Sequence, residues 1–259
     1  MQRKGGDFDY ETGGAGYAQV RRADPRIEAM VHQALGEARI VLNVGAGAGS
    51  YEPTDRYVLA VEPSATMRAQ RGPGRVPAIE AVAEALPLDD DAVDAAMAMI
   101  TVHQWPDADS GLRELRRVAR GPVVVLTFDG DALNRFWLAE YCPELIAAER
   151  RRYPPVSRIA ELVGPAAQVL TVPIPLDCTD GFTEAFYGRP ERLLDPAVRR
   201  AQSAWGFVPP GTAERFEERL GAALKSGQWD RRHGHLRSQE TFAGSLRLIV
   251  GLPPIARGS

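Results

Sequence analysis

The chain has 259 residues, 44% of them hydrophobic and 25% charged, with a formal net charge of −3. That describes one soluble globular domain, or a core with a smaller appendage, able to bury roughly 70–75% of its unfolded surface without a metal or disulfide staple. The slight acidity argues against holding nucleic acid by charge alone, no apolar run is long enough for a bilayer span, and Arg3 and Lys4 run at once into Asp7, Asp9 and Glu11, which does not read as a signal peptide.

In chain order, Asp24-Pro25 reads as an N-cap and first helical residue, and Ile27, Met30, Val31 and Ala34 recur at helical spacing, which predicts an amphipathic helix over 25–37. Arg39 to Val44 is a β-branched run that ends in Gly45-Ala46-Gly47-Ala48-Gly49. Strands are expected at Tyr57–Val61, Ala78–Val82, Val93–Val102 and Val123–Phe128, with a helix at Leu112–Val118. Apolar strands alternating with helices mean a parallel sheet covered on both faces. Further on, Leu133–Arg151 reads as helical, Ala167–Pro175 as an edge strand, Thr212–Lys225 as a helix and Ser245–Val250 as a last strand. The expected architecture is Rossmann-like α/β: a seven-strand, mostly parallel sheet with helices on both faces and a helical cap inserted before the last strand. The expected division is an N-terminal arm over 1–24, a core over 25–180 and 241–259, and a cap over 181–240.

The glycine loop follows a strand, where a backbone must approach a ligand closely, and Glu62 ends the next strand, where an acid accepts hydrogen bonds from both hydroxyls of a ribose. The glycines fall as Gly-x-Gly-x-Gly, and Ser50-Tyr51-Glu52-Pro53 follows them. Glu52 suits a pyrophosphate poorly and Pro53 delays a helix, so a nucleoside ligand without phosphates fits better.

Residues 15–130 resemble the class I S-adenosylmethionine-dependent methyltransferases, in particular the ubiquinone-biosynthesis-like group that acts on small molecules. The resemblance is carried by Asn43–Gly49, Val61-Glu62-Pro63-Ser64, Ala83-Glu84-Ala85-Leu86-Pro87-Leu88, Val93-Asp94 leading into His103-Gln104-Trp105, and Leu112–Val118. The stretches 178–182 and 229–237 are similar to actinobacterial members of the group. The resemblance implies S-adenosylmethionine as cofactor, with Asn43, Gly45, Ala46, Gly47 and Gly49 along its methionine part and Glu62 on its ribose. It places Pro63 and Met67 beside the adenine, Ala83 and Glu84 at the ring edge, and Tyr17 and Arg21 in a segment that folds over the donor. Asn43 stands where the family usually has Asp or Glu, and Val82 where it commonly has Asp.

Methyl transfer from a sulfonium needs alignment and desolvation, and a base only where the nucleophile carries a proton. His103 is the base candidate, and its other reading is a residue that orders the loop to Trp105-Pro106. Trp105, Asp129, Trp137, Tyr141 and His233 are candidates for binding the substrate, against bland readings as core residues or caps. His233-Gly234-His235 lacks a third ligand and sits among arginines, so no metal site is expected. The expected protein is a cytoplasmic methyltransferase for a small-molecule acceptor, with no membrane or nucleic-acid partner and no oligomeric state legible. The alternatives are an RNA or protein methyltransferase, a non-catalytic S-adenosylmethionine-binding protein and an NAD-dependent oxidoreductase.

Overall fold

The computed structural model describes residues 21–253. Tyr17 and most of the expected N-terminal arm lie outside them.

Helix α1 (Pro25–Ala34) starts as the sequence predicts: the buried Asp24 carboxylate accepts the Arg26 N–H at 3.0 Å, and Ile27 and Val31 turn inward. The same carboxylate accepts the Arg26 guanidinium at 2.8 Å and the Thr179 N–H at 3.1 Å, which ties the start of the chain to a segment far along it. Strands β1 (Ile40–Val44) and β2 (Tyr57–Val61) follow, with turns instead of a helix between them. Pro53 and three glycines of positive φ (Gly45, Gly47 and Gly49) make that connection irregular. Next come α2 (Ala65–Ala69), the short β3 (Ala78–Ile79), β4 (Ala95–Met99), α3 (Ala108–Val118) and β5 (Val123–Phe128).

The stretch 133–151 is not one helix. It breaks into a 3-10 turn over Leu133–Arg135, α4 (Leu138–Tyr141) and α5 (Pro143–Arg152), because Pro143 cannot donate inside a continuous helix. Helix α6 (Val156–Val163) and β6 (Gln168–Thr171) complete this part. The expected strand 167–175 is also divided, since Ile174–Pro175 (β7) leaves the main sheet and pairs with β8 (Thr241–Phe242). Between β7 and β8 lie α7 (Pro196–Arg200), α8 (Thr212–Lys225), α9 (Gln228–His233) and several 3-10 turns, and β9 (Leu246–Gly251) returns to the sheet.

The seven strands are ordered β3-β2-β1-β4-β5-β9-β6. The first five are parallel, and β9 runs antiparallel between β5 and β6. Alternation along the strands divides the apolar core in two. Val41, Met97, Val124 and Leu126 face α1, α4, α5 and the helical insertion. Leu42, Ala96, Val123 and Val125 face α3 and α6. The insertion packs Phe182, Tyr187, Phe216 and Trp229 into the first of these clusters and has no separate core of its own there. Among the described residues no helix is long and apolar enough to cross a membrane, and no group of three or more metal-ligating side chains occurs. Both cysteines are buried free thiols; burial raises Cys142 to about 11 and Cys178 to about 12.

Burial raises the Asp24 carboxyl, but the hydrogen bonds from Arg26 and Thr179 outweigh it and hold the group at about 2, below its usual 3.8. A carboxylate depressed on folding stabilises above its unfolded pKa and loses that contribution as pH falls through the folded one. Asp24→Ala is expected to lower the unfolding free energy in urea by about 2–3 kcal/mol at pH 7, the gap to the parent closing between about pH 4 and pH 2.

Candidate active site

The parallel strands end at one edge, and the loops leaving β1, β2 and β4 enclose a cavity there. It is lined by Asn43, Gly45, Ala46 and Gly47, by Glu62, Pro63 and Met67, by Ala83 and Glu84, and by Met99 to Thr101 with Gln104 to Pro106. Open α/β sheets bind ligands at this kind of crevice. Gly45 has φ +67°, and a Cβ there would overlap the Thr101 side chain, so only glycine lets the loop lie against the end of β4. The Glu62 carboxylate accepts the Gly47 N–H at 2.8 Å and the Ser64 N–H at 2.9 Å, joining the first loop to the second. Burial raises its pKa, with those two amides pulling the other way. Glu84 accepts the Asp107 N–H at 3.0 Å and so holds the far wall. Trp105 packs on Gly111 of α3, where a Cβ would stand 2.5 Å from the indole.

The asparagine at position 43 has a carboxylate beside it. Its Nδ2 donates to Glu52 Oε1 at 2.9 Å, and Arg71 pairs with both oxygens of Glu52 at 2.9 and 2.8 Å, all three side chains being buried. With Nδ2 committed to Glu52, the amide turns Oδ1 away from it, and that oxygen is buried without a hydrogen-bond partner. The loop that forgoes a helix therefore returns an acid to the place where residue 43 has none.

A second cavity lies behind the first and shares Ile100 with it. Ile100 has φ +52°, an outlier for a β-branched residue, and is held by its N–H on Leu126 O at 2.7 Å. The expected strand 93–102 stops there, and Val102–Gln104 forms a 3-10 turn that sends His103 into the second cavity and leaves Gln104 in the first. Arg21, Phe128, Glu149, Tyr153, Phe182 and Glu184 also line the second cavity. His103 is buried 4.7 Å from the Tyr153 ring. Burial, then the positive charges of Arg152 and Arg21, push its pKa well below 6.5, so the ring is neutral. The Gln104 amide nitrogen stands 2.7 Å from Nε2; since it can only donate, Nε2 is the acceptor and the ring proton is on Nδ1.

The sequence-based set thus divides. Asn43, Gly45, Ala46, Gly47, Glu62, Pro63, Met67, Ala83 and Glu84 meet in the first cavity, joined by Trp105, which the sequence reading assigned to the substrate. Gly49 supports the loop from outside, its Cα hydrogen facing Glu52 where a Cβ would stand 2.9 Å from Oε2. Arg21 and His103 meet in the second cavity. Asp129 pairs with Arg247 at 3.2 Å and accepts the Asp131 N–H, as a cap would. Trp137 and Tyr141 are in the apolar core, the first donating its indole N–H to Tyr187 O at 2.8 Å, and His233 lies against Trp229 and 3.5 Å from Glu140. These last four line neither cavity. Glu52, Glu149, Tyr153 and Glu184 were not anticipated. Glu149 left a signal, an acid four residues after Leu145 and three after Ile146 on the inward stripe of a helix.

Cavity, sheet order and loop chemistry are those of the class I S-adenosylmethionine-dependent methyltransferase fold. Residues 42–126, a third of the chain, match the family model described as a methyltransferase domain, so that the domain spans β1 to β5. A crystal structure of a protein described as a methyltransferase from an antibiotic biosynthesis pathway of Anabaena variabilis is 29% identical, covers 90% of this chain and 99% of its own, and superposes with a TM-score of 0.82. Two others share the fold at lower identity. An S-adenosylmethionine-dependent methyltransferase of Thermotoga maritima is 16% identical (TM-score 0.55, covering 94% of this chain and 97% of its own). Geranyl diphosphate C-methyltransferase of Streptomyces coelicolor, crystallised with S-adenosyl-L-homocysteine, is 14% identical (TM-score 0.50, covering 88% and 75%). No curated protein matches the sequence.

Gly111→Ala separates the cavity wall from the fold. Alanine suits a helix better than glycine by about 1 kcal/mol, but its Cβ must displace the Trp105 indole from the wall. The expected result is a melting temperature close to the parent's with S-adenosylmethionine affinity reduced about tenfold or more, read by calorimetric titration.

Proposed function

We propose that the protein transfers a methyl group from S-adenosylmethionine to a small-molecule acceptor of specialised metabolism, in the cytoplasm, with residues 181–240 as the cap that encloses the acceptor. The observation that carries the reading is the wall at Ile100, which puts a polar, aromatic-lined cavity directly behind the cavity built by the glycine loop and Glu62. Two buried compartments sharing one residue suit two small reactants better than a long polymer.

The residues of the first cavity fit the donor. Glu62 would take the ribose hydroxyls, Pro63 and Met67 would flank the adenine, and Ala83 and Glu84 would meet its edge. Gly45 and Gly47 would lie along the methionine part, and the partnerless Asn43 Oδ1 is an acceptor suited to an ammonium group. Bound there, S-adenosylmethionine supplies an electrophilic methyl group on a sulfonium. The chain's own contribution is chiefly alignment and exclusion of water. His103, the base candidate, stands in the acceptor cavity in neutral form; to take a proton at Nε2 it must first release the Gln104 amide.

Calorimetric titration with S-adenosylmethionine, with NAD as control, tests the reading. The parent is expected to bind the first and not the second. Glu62→Ala is expected to weaken binding about 10- to 100-fold, the loss of hydrogen bonds to a charged group. Because burial raises the Glu62 pKa, affinity should start to fall on acidification above the usual carboxylate range. Binding of NAD, or of neither ligand, is the result that overturns the reading.

A further inference from the structure

We propose that Glu149, rather than His103, receives the proton displaced in the transfer, and that the second cavity selects an uncharged acceptor with a phenol-type hydroxyl. The inference rests on the methyl-transfer reading above and specifies its acceptor.

Glu149 projects from α5 into the second cavity, 8% exposed, and its Oε2 is buried with no hydrogen-bond partner. A buried carboxylate oxygen left in that state is costly unless a ligand donates to it. The other carboxylate at this cavity is differently placed. Glu184 accepts the Ser245 N–H and hydroxyl at 2.9 and 2.6 Å, which makes it a structural tie to the start of β9. Arg21 at the same cavity pairs with the buried Asp180 at 2.5 Å. Among these charged groups Glu149 is the one that still offers an acceptor. Gln104 already donates to His103 Nε2, so the imidazole lone pair is directed away from an incoming proton.

The charge around Glu149 limits what can enter. The guanidiniums of Arg21 and Arg152 act on it, the hydroxyls of Tyr153 and Thr183 donate to its carboxylate, and Glu184 is close enough to feel its charge. The two arginines and two carboxylates offset one another, so a charged acceptor would give up its hydration with no net opposite charge to compensate it. A neutral acceptor avoids that cost. The walls are aromatic: Phe128 is edge-on to Tyr153 at 5.4 Å and to Phe182 at 5.3 Å, a surface for a ring. Burial raises the Glu149 carboxyl despite the arginines, and Glu184 stands at about 7, so a carboxylate here holds a proton more strongly than one in water. That suits it to take the proton of a weakly acidic hydroxyl.

The step balances. The acceptor oxygen forms a bond to the methyl carbon as the carbon–sulfur bond breaks, and the sulfur keeps the electron pair and becomes a neutral thioether. The hydroxyl proton passes to Glu149. A sulfonium cation and a carboxylate anion are thus replaced by two neutral groups, and Glu149 returns its proton to water when product leaves.

The test uses the full chain saturated with S-adenosylhomocysteine, and four probes of similar shape: 4-ethylphenol, its methyl ether, the 4-ethylbenzoate anion and protonated phenethylamine. Only 4-ethylphenol is expected to raise the melting temperature. With S-adenosylmethionine instead, its methyl ether is expected to form, identified by mass. Glu149→Gln keeps an acceptor oxygen but not a base, so it should retain the phenol-induced shift while the rate of transfer falls about 100-fold or more. Glu149→Met should lose the shift as well. Both variants should bind S-adenosylmethionine as the parent does, which serves as the check on folding. The inference is overturned by transfer in Glu149→Gln near the parent rate, by stabilisation from the ether or a charged probe in place of the phenol, or by no stabilisation from any probe. Failure of the parent to bind S-adenosylmethionine is a different result, and it overturns the functional reading itself.

Discussion

The site depends on the register of β1 between two parallel neighbours. Asn43 is opposite Ala60 of β2 on one side and Met97 of β4 on the other, so all three strands run out at the same edge and their loops must meet. Parallel strands leave no choice about this, because every crossover starts from the same end. The Glu62 carboxylate then locks the meeting with the amides of Gly47 and Ser64. The left-handed Gly45 permits it by lying where any side chain would strike Thr101. The cavity and the contact of Glu62 with the glycine loop are therefore consequences of one strand arrangement.

Behind that edge the chain buries charge in pairs and leaves few exceptions. Glu52 has Arg71, Asp180 has Arg21 with the Tyr51 hydroxyl at 2.8 Å, and Glu184 has Ser245. Each pairing joins segments distant in sequence and meets the demand that a buried polar group find a partner. Among the buried polar atoms without a partner, Asn43 Oδ1 borders the first cavity and Glu149 Oε2 the second, whereas those of Thr127, Tyr141, Arg189, Trp229 and His233 belong to residues that line neither. Ile100 takes a conformation costing on the order of 1–3 kcal/mol at the wall common to both cavities.

Much of this was legible in the chain. The apolar, β-branched runs at 40–44, 57–61 and 123–128 are strands with nearly the expected limits, because such residues fit a pleated, at least half-buried surface. The glycine loop and Glu62 stood out because their backbone demands and spacing are local. The helix expected over 133–151 failed at Pro143, and the long strand expected over 93–102 failed at Ile100, where a local apolar pattern says nothing about a reversal imposed by packing. Trp137, Tyr141 and His233 looked like pocket residues by chemistry, yet their rings pack on one another and on Trp229 in the core.

Sequence alone determined the class of sheet, the place of the glycine loop and the acid that follows it, since each depends on residues close together in the chain and on periodicities of two and 3.6. Tertiary structure decided the rest. It turned Asn43 toward Glu52, divided His103 from Gln104 between two cavities, and carried Glu149 from a helix well past the methyltransferase domain to the far side of Ile100. These depend on contacts between segments tens of residues apart, whose distance and orientation are set by how the layers pack and not by any local pattern.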